Sequence, residues 1–164
     1  MRIINPYAII LFFAIILISV IIGSSLVLNP SKESLASLNA APEQVSVENR
    51  MYRLETYLWR DFMPISPPDG KPLIAVVKVL PNDSLKFPAN IDADHLWVVN
   101  GQEIWSTSFS DEEVPQDEYI LEKIARDGPK WDPGISVDVI VRLVVNDHNT
   151  YLLKAPNQTI HRTD

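Results

Sequence analysis

From Ile3 to Ser31 the chain carries no charged side chain, and no other feature restricts it as tightly. The dense part, Tyr7 to Leu28, holds 22 residues, of which 15 are Ile, Leu, Phe or Val. As a helix such a run rises about 33 Å at about 1.5 Å per residue, which matches a hydrocarbon core of about 30 Å. At roughly −0.3 to −0.6 kcal/mol per large aliphatic or Phe residue, insertion is favoured by several kcal/mol. The β-branched bias would weaken a helix in water, but in lipid any other backbone leaves its peptide groups unpaired. The sequence therefore predicts a transmembrane signal-anchor helix over residues 7–28, preceded by a short tail, 1–6.

A cleaved secretory signal has a shorter apolar region, about 7–15 residues, ahead of a small-x-small site. Gly23-Ser24-Ser25 and Ala40-Ala41 do offer small residues, so cleavage stands as the alternative to an uncleaved anchor. The chain has no cysteine, which excludes thioether lipidation and any disulfide. Arg2 and the terminal amine flank the run on one side and Lys32 beside Glu33 on the other, which favours the amino terminus inside. The expected location is the cell membrane, single-pass, with the domain outside the cytoplasm, periplasmic or on the cell surface. Removing the chain up to Ser31 takes only Arg2 from the 14 Lys and Arg, leaving 13 against 21 Asp and Glu. That acidic balance argues against nucleic acid and against an anionic bilayer surface as partners.

Beyond the anchor, Asn29-Pro30 and the small, polar stretch to Pro42 read as a stalk, with the linker extending over 29–50. Residues 51–164 make one domain. Val47, Met51, Leu54, Leu58 and Phe62 fall at helical spacing, whereas Tyr52, Leu54, Thr56 and Leu58 alternate as in a strand. The β-rich residue types of 51–62 tip that stretch to strand. Pro64 and Ser66-Pro-Pro-Asp-Gly70 end it. Leu73 to Leu80 is an apolar run of strand length, stopped by Pro81-Asn82-Asp83. His95–Val99, Asn100-Gly101 and Glu103–Phe109 form a hairpin motif, because Asn-Gly accepts the positive φ of a tight turn. Tyr119–Arg126 lies between strands and reads as one more. Val137, Val139, Val141, Leu143 and Val145 share one face of a strand. The chain then turns at Asn146–Asn149 and returns through Tyr151, Leu153 and Ala155, with a bulge expected at Pro156.

About seven short strands punctuated by Pro, Gly and Asn amount to an all-β, antiparallel sandwich. Their order and spacing over residues 51–164 resemble an immunoglobulin-like or fibronectin type III-like module. The likeness is architectural and implies no activity.

Two strands depart from the alternation of a half-solvated sheet. The second face of Leu73–Leu80 carries Ile74, Val76 and Leu80, and that of Val137–Val145 carries Ile140 and Val144. Either the chain itself covers them or they form a docking surface. Trp131, between Lys130 and Asp132 in a Pro/Gly-rich loop, has a ring suited to stacking on a sugar or filling a partner's pocket. Arg60 and Asp61, beside Trp59, are charges that the chain can pair internally. Asp92, Asp94 and His95 are the best metal candidates, two carboxylates on one side of an extended segment with an imidazole beside them. His95, His148 and His161 have no nucleophile motif near them, and the five glycines form no phosphate-cradling loop, so no reaction and no cofactor is implied. The expectation is a membrane-anchored protein-interaction or assembly module without catalysis, meeting the bilayer through residues 7–28 and pairing with an envelope protein or with itself. The alternative is a carbohydrate or cell-wall binding module using loop aromatics.

Overall fold

The computed structural model describes residues 33–110 and 117–164. The anchor expected over 7–28 lies outside these residues. Among the described residues no helix is long and apolar enough to cross a membrane. They form one short helix, α1 (Leu35–Asn39), and eight strands: β1 (Gln44–Val47), β2 (Arg50–Asp61), β3 (Leu73–Pro81), β4 (Ile91–Asn100), β5 (Glu103–Ser108), β6 (Leu121–Gly128), β7 (Ser136–Val145) and β8 (Asn149–Thr163). The all-β expectation holds. The stretch expected over 51–62 is strand from Arg50 to Asp61, because Tyr52, Leu54 and Leu58 all turn into the core at period two.

The strand order is β5-β4-β7-β8-β2-β3-β6, with β1 added beside β2. All pairs are antiparallel except one. β8 runs antiparallel to β7 through Thr159, then parallel to β2 from Ile160 to Thr163. The purely antiparallel expectation is thereby corrected to a mixed sheet. The change of partner follows a bulge opposite Val137–Val139, where Asn157 adopts φ 56° and its N–H donates to Asp138 Oδ1 at 2.9 Å. Pro156, which has no N–H for a ladder, sits where the pairing is interrupted.

The two ends of this sheet, β5 and β6, come together and nearly close a barrel. The Ser110 N–H donates to Ile124 O across the seam at 2.8 Å, and Lys123 Nζ reaches Asp92 Oδ1 at 2.8 Å. Trp105 lies directly on Gly128, where an added Cβ would come within 2.8 Å of the ring. Inside, Leu58, Val77, Leu96, Val139, Leu143, Leu153 and Ile160 belong to one core built from both halves of the sheet.

The turns explain which elements were visible in the sequence. The β4–β5 hairpin forms as expected, with Asn100 opposite Glu103, so its two loop residues are Gly101 and Gln102 and the positive φ falls on Gly101. The β1–β2 hairpin went unread. Val47 pairs with Arg50, so Glu48 and Asn49 are its two loop residues, with φ of 48° and 64°. Glu48 gives no turn signal, because a glutamate rarely accepts that conformation.

The stretch assigned to the stalk is therefore folded from α1 onward. Ser34 caps α1 by accepting the Ser37 N–H at 3.1 Å, while the Lys154 N–H donates to Pro42 O and Lys154 Nζ to Asn39 O, both at 2.8 Å. A five-residue helix is unstable alone. Packing holds this one in place: Leu38 and Ala41 form a second apolar cluster with Trp97, Val99 and Ile140 on the outer face of β4 and β7. A bulge between Ala93 and His95 makes this possible, since it keeps Ile91, Ala93, Leu96 and Val98 inside while turning Trp97 and Val99 outward. Leu38→Ala is expected to lower unfolding stability by about 2–5 kcal/mol. Denaturant titration checks this; an unchanged midpoint would show that α1 is an ornament on the sheet.

Candidate functional site

The outward surface of β2, β3 and β6 carries a group of partly exposed apolar side chains. Register builds it row by row. Ile124, Val76 and Tyr57 stand side by side across the three strands, and the adjoining row runs from Ile74 through Trp59 to His161 of β8. Tyr57 is 48% exposed, and Ile74, Val76, Trp59 and Ile124 are half-buried. The Tyr57 ring stacks on His161 at 4.9 Å between centroids and lies 5.3 Å from Trp59. A charged row borders them: Glu122, Lys78 and Glu55 in register, with Lys78 Nζ 3.1 Å from Glu122 Oε2 and Arg53 Nη1 2.6 Å from Glu55 Oε1. A depression of about 220 Å³ lies among Glu55, Thr56, Tyr57, Val76 and Lys78. It is smaller than the roughly 300–1,000 Å³ of small-molecule sites, so the face suits a docked surface better than a ligand.

Of the five residues expected to form an apolar patch, Ile74, Val76 and Leu80 belong to this side of β3, with Leu80 half-buried opposite Arg53. Ile140 and Val144 do not. They lie on β7, in the other half of the barrel. Ile140 is fully buried beneath α1 and so cannot meet a partner, while Val144 is half-buried between Asp92 and Thr150. Tyr57, Ile124 and His161 went unread as partners of Ile74 and Val76, because only strand register brings them side by side.

The loop containing Trp131 is tied down. Trp131 is partly buried against the core, and its indole N–H donates to Glu103 Oε2 at 2.6 Å. Lys130 pairs with Asp69 at 2.6 Å, and Asp132 is exposed. Beneath them Arg60, only 2% exposed, fans its guanidinium into main-chain carbonyls: Lys71 O at 2.9 Å, Lys130 O and Trp131 O at 3.1 Å, and Asp69 O. Its neighbour Asp61 pairs with Lys71 at 2.8 Å, and these hydrogen bonds, chiefly with Lys71, hold its carboxyl below the usual range.

The metal candidates are separated by their partners. Asp92 binds Lys123 across the seam. Asp94 takes a two-pronged contact from Arg142, at 2.8 and 2.7 Å. His95 Nε2 lies 2.9 Å from Ser106 Oγ, and its ring tilts against Trp97 at 4.5 Å. A bulge lies between Ala93 and His95, at Asp94. Among the described residues no group of three or more His, Cys, Asp or Glu is placed to hold a metal ion. Burial first, and then the Arg142 guanidinium, push the His95 imidazole below its usual value, against a smaller pull upward from Asp94.

Two expectations follow from these contacts. Arg60→Met, which leaves four carbonyls without their donor, is expected to cost about 3 kcal/mol or more, and Arg60→Lys to restore less than half of that, because an ammonium cannot reproduce the planar fork. A lysine variant as stable as the parent would overturn this role. His95 favours the fold while neutral, since its folded value lies below its unfolded one. Stability should therefore decline as pH falls through about 6.5 and below. Denaturation midpoints measured between neutral and mildly acidic pH should fall less steeply in His95→Gln; identical slopes would contradict this.

Comparison with known proteins finds no family model, no curated protein and no solved structure that matches the chain.

Proposed function

We propose that the chain is a single-pass, membrane-anchored protein whose β domain stands outside the cytoplasm as a non-catalytic interaction or assembly module. The observation that carries this reading is the face built from Ile124, Val76, Ile74, Tyr57 and Trp59, a contiguous group of partly exposed apolar side chains of the kind that on a monomer often serves function. The uncharged run ahead of Lys32 supports the anchor, and the acidic balance of the rest supports a protein partner over nucleic acid.

The fold is proposed to be immunoglobulin-like or fibronectin type III-like. Strand order supports it. One half holds β2-β3-β6 and the other β8-β7-β4-β5, which corresponds to A-B-E and G-F-C-C′ in such sandwiches. Domains of this class act through their faces and loops, and the fold alone specifies no chemistry. The alternative is a carbohydrate or cell-wall binding module using loop aromatics such as Trp131, whose half-buried ring is oriented by the bond from its indole N–H to Glu103.

Carbonate extraction of membranes containing the full chain should leave it in the pellet, and Tyr57→Glu should stay there yet lose whatever binding the parent shows. Full-length protein in the soluble fraction with Met1 attached would overturn the anchor. Unchanged binding by Tyr57→Glu would overturn the role of the face.

A further inference from the structure

We infer that the occupant of the β2–β3–β6 face is the same face of a second copy of this chain, an inference that rests on reading that face as a docking surface. Charge separates the possible occupants. Arg53, Lys71, Lys78 and Arg126 on or beside the face stand against Glu55, Asp61 and Glu122, and three ion pairs, Arg53–Glu55, Lys71–Asp61 and Lys78–Glu122, tie most of them together. The face is close to neutral. From Glu33 onward the described residues include 12 Lys and Arg against 18 Asp and Glu, so among them 8 basic and 15 acidic residues lie elsewhere.

A basic partner would be steered to those other surfaces, and a polyanion finds no basic patch here to hold it. Two copies of one acidic molecule repel least when their neutral faces meet and their acidic surfaces point apart. Such a contact is isologous, as in most homodimers, and sets Val76, Tyr57 and Trp59 of one copy against the same group of the other across a two-fold axis. It is also small. Counting β8 at His161, four strands about 4.8 Å apart and three residue rows about 6.8 Å apart, one of them the charged row, span roughly 300–400 Å². A stable complex buries about 800 Å² per partner, so the pair is weak in dilute solution and forms when copies are concentrated in one membrane.

The absence of cysteine makes the test direct. Full-length Val76→Cys, reconstituted in phosphatidylcholine vesicles, is treated with a short bis-maleimide beside Gln102→Cys, whose position is exposed at the β4–β5 turn. The expected result is a covalent homodimer through position 76 and little through 102. The yield should rise as salt increases from about 0.05 to 0.5 M, because screening removes the acidic repulsion while the apolar contact persists. Adding Tyr57→Glu should abolish the product, with the thermal transition confirming that the variant still folds. Equal cross-linking at the two positions, or a yield that falls with salt, would overturn self-pairing. Flotation of the same vesicles reads anchoring separately: a chain that does not float defeats the membrane reading, and the same cross-link comparison is then made on the unbound protein at raised concentration.

Discussion

The structure depends on β8 belonging to two sheets. Its first part completes a ladder with β7, and its last four paired residues run parallel to β2, so one continuous strand joins β5-β4-β7 to β2-β3-β6. A strand cannot serve two directions without a break in register, and the break is made at Pro156–Asn157, where Asn157 takes a positive φ and Asp138 caps its N–H. Once that is fixed, the inward faces of both halves meet over one core. The far edges, β5 and β6, are brought near enough for Ser110 to bond Ile124 and for Trp105 to close over Gly128. Side chains finish what the backbone leaves open there, through Lys123–Asp92 and the indole of Trp131 on Glu103.

Closing the core leaves two outer faces, and they differ. On β4 and β7 the outward residues Trp97, Val99 and Ile140 are sealed by α1 and Ala41. On β2, β3 and β6 the outward residues Tyr57, Trp59, Ile74, Val76 and Ile124 keep part of their surface in water. An exposed hairpin of sheet is usually protected by charge, and here Lys78, Glu122, Glu55 and Arg53 provide that only along one border. The two faces of the domain thus differ in cover.

The polar groups that the sequence singles out each have a partner within the fold. Asp94 holds Arg142, Asp92 holds Lys123, and Arg60 stitches the 69–71 and 130–131 loops together. Arg50 does the same for the loop after β3: its two-pronged contact with Asp83, at 2.7 Å on each side, brings the Asp83 carboxyl down to about 2. Each is a cation paired at short range with an anion or with carbonyls, which is how folded chains neutralise groups at loop junctions.

The sequence by itself determined the strands whose signals are local: the alternation of Val137 to Val145, the apolar run from Leu73 and the Asn-Gly hairpin, together with the apolar run that predicts an anchor over 7–28. It also marked Ile74 and Val76 as facing outward. Tertiary structure alone decided the parallel pairing of β2 with β8, the folding of 35–47 onto the sheet and the fate of each outward residue. The physical reason is that periodicity says which side chains share a face, whereas what covers a face depends on contacts between residues distant in the chain. Ile140 and Val76 look alike in sequence. Leu38, some hundred positions upstream of Ile140, is what separates them.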